Sequence, residues 1–207
     1  MLLAAKNKSN SKMAEGYCGV KFKTIFDKKR ILHNRKLLDL INWCKEFYKI
    51  GFTSDAAGNL SFRTDEGFII SCSRADFNNP NPEDFTEVIG IDISKKTVYA
   101  NGLKEPSSET FLHNEIYQKR SDVNAIFHGH SEEFLKHGNK LSLPITQKEQ
   151  PSGSIGLMKE VVKVLDNNNF ILIKNHGFLS LGDSMGTAGN LAVKRYTQLQ
   201  RVKRLTQ

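Results

Sequence analysis

Val123-Asn124-Ala125-Ile126-Phe127-His128-Gly129-His130 is an apolar stretch that runs straight into two histidines. Residues 123–127 read as a buried strand. A strand's side-chain period is two, so His128 and His130 leave the same face and can converge on one ion. A second apolar strand, 170–174, runs into Asn175-His176-Gly177, which puts His176 at an adjacent strand end. Three neutral imidazoles with an open fourth position form a catalytic rather than a structural zinc arrangement. Zinc held this way is a Lewis acid toward a carbonyl or enolate oxygen. His33, His113 and His137 have no such context and read as surface or core residues.

Working outward, apolar residues at Leu37, Leu40, Ile41, Cys44, Phe47 and Tyr48 fall at helical spacing, and Gly51 ends that helix. Strand-like runs follow at 59–63, 67–71 and 88–94, with 97–99 as a hairpin return across Lys95-Lys96. Ser107-Ser108 offers an N-cap for a helix carrying Glu109, Leu112 and Ile116 on one face. A helix over 154–165 and a final helix capped by Asp183 complete the pattern. Strands clustered between helices predict one α/β domain, a central sheet with helices packed on it. Residues 1–30 read as a basic, flexible extension and 31–207 as the domain.

The chain has 207 residues and a formal charge of +8. Hydrophobic residues at 39% and charged residues at 25% exclude a disordered tail, a collagen-like repeat and a membrane bundle. Residues 1–36 hold ten basic residues against two acids, and residues 194–207 hold five against none, so the body between them is mildly acidic. A phosphate-backbone grip would place its positive stripe on the body, so no nucleic-acid partner is expected. Nor is a membrane, since no run approaches ~18 apolar residues. Cys18, Cys44 and Cys72 are odd in number and unpaired by spacing, which favours free thiols and a cytoplasmic setting.

Glu109 stands just behind Ser107-Ser108, in the first turn of the predicted helix, where the dipole favours an anion by ~0.3–1 kcal/mol. It can be a fourth metal ligand, a general base or a capping-box residue. Gly58-Asn59 and Ser107-Ser108 are small and donor-rich. They can cradle an anion, or simply turn the chain.

In order and spacing, Gly58-Asn59-Leu60-Ser61, Pro106-Ser107-Ser108-Glu109, His128-Gly129-His130-Ser131 and Asn175-His176-Gly177 resemble the class II aldolase/adducin head domain family over roughly residues 35–200. The resemblance implies a three-layer α/β/α fold with a mostly antiparallel sheet, assembled as a homotetramer with the active site between subunits. It implies Zn2+, or another divalent metal, on His128, His130 and His176, with Glu109 as resting ligand and proton shuttle. It places a substrate phosphate near Gly58, Asn59, Ser73, Ser107 and Ser108. The implied activity is that of a lyase, an aldolase acting on a small ketose phosphate or related hydroxy-ketone through a metal-stabilised enediolate.

Two departures bear on this. Ser73-Arg74 stands where the family often has Thr-Gly or Ser-Gly, which removes easy backbone approach but adds a guanidinium fork for phosphate or carboxylate. The segment 143–150 lacks the tyrosine acid of fuculose-phosphate aldolases. Glu149 is instead placed like the acid/base glutamate of methylthioribulose-1-phosphate dehydratases, or is a solvated loop residue. A zinc-dependent ketose-1-phosphate dehydratase is therefore the alternative enzyme, and a non-catalytic adducin-like interaction module the alternative outside enzymes.

Overall fold

The computed structural model describes residues 19–53 and 57–205. Cys18 and most of the expected extension lie outside them. The strands are β1 (Lys23–Lys28), β2 (Asn59–Arg63), β3 (Phe68–Ser71), β4 (Phe85–Asp92), β5 (Thr97–Asn101), β6 (Ala125–Gly129), β7 (Phe170–Ile173) and β8 (Gly177–Gly182). The helices are α1 (Leu37–Ile50), α2 (Thr110–Lys119), α3 (Glu132–His137), α4 (Ile155–Leu165) and α5 (Met185–Leu205).

The strands form one eight-stranded sheet in the order β1-β5-β4-β3-β2-β6-β8-β7. Among the described residues, β1–β5 pairs in parallel and the other neighbours are antiparallel. Alternation along the strands divides the core in two. Phe127, Phe170, Leu172 and Phe178 face a layer built by α1, α3 and α5. Ile126, Ile171, Ile173, Leu179 and Leu181 face α2 and α4. The expected α/β/α sandwich with a mostly antiparallel sheet is the observed fold. Both sheet faces are dry, which is why the central strands read as apolar runs. Fully burying a ring such as Phe127, edge-on to Phe47 at 5.4 Å, stabilises by about 1.5–3 kcal/mol.

Local chemistry sets the boundaries. Gly51 takes a φ of 83° and its N–H donates to Tyr48 O, while Phe52 N donates to Phe47 O, closing α1 in a left-handed cap. Ser154 caps α4 by accepting from Leu157 N. At α5 the cap is Ser184, whose Oγ accepts from Thr187 N at 3.1 Å, rather than Asp183. Residues 23–28, assigned above to a flexible extension, are instead strand β1, because Lys23 to Phe26 find backbone partners on Thr97 to Ala100.

Candidate active site

The three histidines meet at one end of adjacent strands β2, β6 and β8. Asn59 opens β2 directly opposite His128 on β6, and Gly129 pairs with Phe178 on β8. His176 sits in the three-residue turn joining β7 to β8, where Asn175 takes a left-handed φ of 56°. Gly177 admits the close approach: a Cβ there would lie 2.4 Å from Gly129 O and 3.0 Å from His128 Cε1. His130 N donates to Phe52 O at 2.7 Å, tying the second ring to the end of α1. The ring centroids stand 4.8–5.0 Å apart, and one nitrogen from each ring lies within 4.8 Å of the others.

The hydrogen-bond inventory fixes what these rings present. His128 Nδ1 lies 2.9 Å from Phe178 O, and a carbonyl only accepts, so Nδ1 carries the proton. Burial pushes the His128 pKa down and that of His130 down to about 3, so both are neutral at pH 7. His128 Nε2 therefore presents a lone pair, which lies 3.0 Å from His130 Nε2 and 3.3 Å from Glu109 Oε2. His176 Nε2 lies 3.1 Å from Glu109 Oε1. Burial opposes the Glu109 charge, but the hydrogen-bonding contacts of His176 and the Asn59 amide outweigh it and hold the carboxyl well below its usual range. A lone pair facing an anionic oxygen is repulsive unless a cation stands between them. The donor set of three imidazoles and one carboxylate suits a divalent metal.

Glu109 is the N-cap residue of α2, one position before its first turn, and it forms no capping box. Ser107 Oγ accepts from Glu109 N at 3.3 Å, and Thr110 Oγ1 donates to Ser107 O. Asn59 Nδ2 donates to Glu109 Oε2 at 2.9 Å, so Asn59, expected beside an anion, holds the carboxylate. Ser152 Oγ donates to Glu109 Oε1 at 3.4 Å, and Lys21 Nζ holds Ser152 O at 2.6 Å. Nothing in the sequence marked Ser152, 43 residues from Glu109.

Of the remaining expected residues, Gly58 (φ 88°) leads into β2, where a Cβ would lie 2.9 Å from His128 O. Ser73 N donates to Glu105 O and Ser107 N to Ser71 O, which lays the Ser73 loop beside the buried Ser107-Ser108 pair. Arg74 is exposed and holds a φ of 62°, the left-handed conformation a glycine there would favour. Glu149 is exposed and accepts from Asn175 Nδ2 at 2.6 Å, one residue from His176. A separate cavity of about 620 Å³, lined by Trp43, Arg63 and Asn124, lies at the opposite end of β2 and β6 and includes none of these groups.

The family model for the class II aldolase and adducin N-terminal domain matches residues 38–197. The chain belongs to this family. It is 28% identical over 168 residues to an L-fuculose phosphate aldolase of Methanococcus maripaludis, an alignment covering 73% of this chain and 88% of that one. It is 32% identical over 95 residues to a 5-deoxy-D-ribulose 1-phosphate aldolase of Bacillus thuringiensis serovar kurstaki, covering 45% and 42%. A solved L-fuculose 1-phosphate aldolase superposes with a TM-score of 0.70 at 24% identity, over 85% of this chain and 88% of that one. At the level of these relatives, the expectation of a class II aldolase-type lyase is borne out. Strand β1 lies N-terminal to the residues that the family model matches.

Proposed function

We propose that this chain is a zinc-dependent aldolase that cleaves or forms a C–C bond in a small ketose phosphate or related hydroxy-ketone. The observation that supports it most is the convergence of one nitrogen each from His128, His130 and His176 to within 4.8 Å of one another, with the Glu109 carboxylate 3.1 Å from His176 and 3.3 Å from His128. His128, His130, His176 and Glu109 would hold the metal, which supplies Lewis-acid stabilisation of the negative charge on the substrate oxygens.

The chain's own groups account for the rest. In this reading Gly58, Ser73, Arg74, Ser107 and Ser108 receive an anionic substrate group, Ser107 and Ser108 from the start of α2. Glu109 exchanges a proton at the carbon that keeps the electron pair of the broken C–C bond. Asn59 and Ser152 hold one carboxylate oxygen each, so the group is oriented before substrate arrives. Buried free Cys44 and Cys72 support a reducing, cytoplasmic setting. Among the described residues, no helix is long and apolar enough to cross a membrane. A homotetramer with the site between subunits is part of this reading, supported by exposed Ile145 and Leu205. Sedimentation equilibrium giving a monomer would contradict that part.

The test is metal analysis of the purified chain, followed by incubation with dihydroxyacetone phosphate plus aldehydes, and with ketose 1-phosphates, products read by mass. Zinc bound with C–C cleavage or formation supports the reading. A chain that never takes up zinc favours a non-catalytic interaction module instead.

A second reading, a ketose-1-phosphate dehydratase, is favoured by one contact. Glu149, bonded to Asn175, stands beside the turn that carries His176. Glu149→Gln is expected to cut turnover about 10²-fold or more if Glu149 is the acid or base. A single dehydrated diketone as product would accompany that loss. Full activity in the variant would return Glu149 to a loop contact with Asn175.

A further inference from the structure

Below the histidine cluster, β2 and α2 are joined by polar side chains in step. Asn59, Ser61 and Arg63 share one face of β2 because side chains alternate. Glu109, His113 and Tyr117 recur every fourth residue, about one helical turn apart. Two strand residues advance ~6.7 Å and four helical residues ~6 Å, so the rungs keep register. Asn59 holds Glu109; Ser61 Oγ lies 2.7 Å from both His113 Nδ1 and the Tyr117 hydroxyl; the Arg63 guanidinium covers the Tyr117 ring at 4.7 Å and donates to Tyr117 O.

The middle rung is fully enclosed, with Ser61 and His113 both 0% exposed among Phe68, Leu112, Ile116 and Ile126. Burial pushes the His113 pKa down to about 3, so the ring is neutral with one proton. Counting hydrogens gives the direction of the bonds. With Tyr117 donating to Ser61 and Ser61 to Nδ1, only His113 Nε2–H is left over, and Nε2 has no hydrogen-bond partner among the described residues. The reverse direction strands both the Tyr117 O–H and the Nε2 lone pair. An apolar pair of the same shape would pack helix on strand about as well. What the polar rung adds is one allowed register.

We propose that Tyr117, Ser61 and His113 form a positioning relay for Glu109, fixing the slide and rotation of α2 on β2 and hence where its carboxylate meets His128 and His176. His113 N donates to Glu109 O at 3.1 Å, one turn away, and Ser61 lies one pleat from Asn59. The proposal rests on the metal reading of the site given above.

The experiment loads the full chain with Co2+ and records the visible spectrum, the cobalt affinity by chelator competition and the melting temperature. The variants are Ser61→Ala, His113→Leu, their double, and His113→Asn, whose amide oxygen can accept from Ser61 in place of Nδ1. Ser61→Ala and His113→Leu are expected to unfold cooperatively, to shift the cobalt spectrum toward that of Glu109→Gln, and to weaken cobalt binding about 10-fold. The double variant should be no worse than the worse single, and His113→Asn should restore the spectrum. A native spectrum in folded Ser61→Ala overturns the proposal even if His113→Leu does not fold. A His113→Asn protein indistinguishable from His113→Leu overturns it as well. A wild type that binds no cobalt overturns the metal reading first, and the relay with it.

Discussion

Replacing His176 by alanine is expected to empty the metal site and abolish turnover while leaving the sheet folded. His176 lies in a turn, held by its backbone N–H on Ile173 O and by the left-handed Asn175, so its ring is not part of the core. Removing it takes away one of three imidazole donors and one of the two rings that face Glu109. Loss of an outer-shell partner alone costs ~10–100-fold in metal affinity or activity, so losing a ligand should exceed that range. Metal content after gel filtration, read beside circular dichroism, checks it. One zinc per folded His176→Ala chain would sink the ligand assignment.

Glu109→Gln is expected to reduce turnover by ~10²–10⁴-fold, the ordinary contribution of a positioned general base. The replacement is isosteric, and its carbonyl oxygen can still accept from Asn59 or Ser152. Its amide nitrogen can take the place of Oε2 and donate to the His128 Nε2 lone pair, with the Asn59 amide turned over so that its Oδ1 accepts. The metal-free variant should therefore melt at or above the metal-free wild type. The rise in melting temperature on adding zinc should shrink, because a neutral amide is a poorer ligand than a carboxylate. Thermal melts with chelator and with zinc separate the two effects. A variant that keeps both full turnover and the full zinc-dependent rise would refute the double role.

The parts of the molecule legible in the sequence are those whose signal is local. Strand β2 at 59–63 coincides with its expected span, and His128 and His130 converge as a period of two requires. Gly51 stops α1 for the reason glycine usually does. Strand β8 escaped because Ser180 and a glycine at each end break up its apolar run, and its link to β7 is too short to register as a loop. Strand β1 escaped for the opposite reason. Its flanking lysines look like tail, and its pairing depends on β5, over 70 residues away. Within the site, the residue types were readable and the supports were not. The carbonyl of Phe178 that fixes the His128 tautomer is backbone, without a signature of its own. The serine that reaches Glu109 is one of many in the chain.

Strand β1 also gives the basic N-terminal segment a purpose that has nothing to do with binding an anion. Among the described residues β1 is the end strand of the sheet and leaves one row of backbone groups without a neighbouring strand, a template on which another chain could polymerise. Lys23, Lys28, Lys29 and Arg30 are exposed along and just beyond that row. Two copies brought edge to edge would have to press these like charges together before any ladder could form. Part of the chain's positive charge is thereby placed to guard against aggregation.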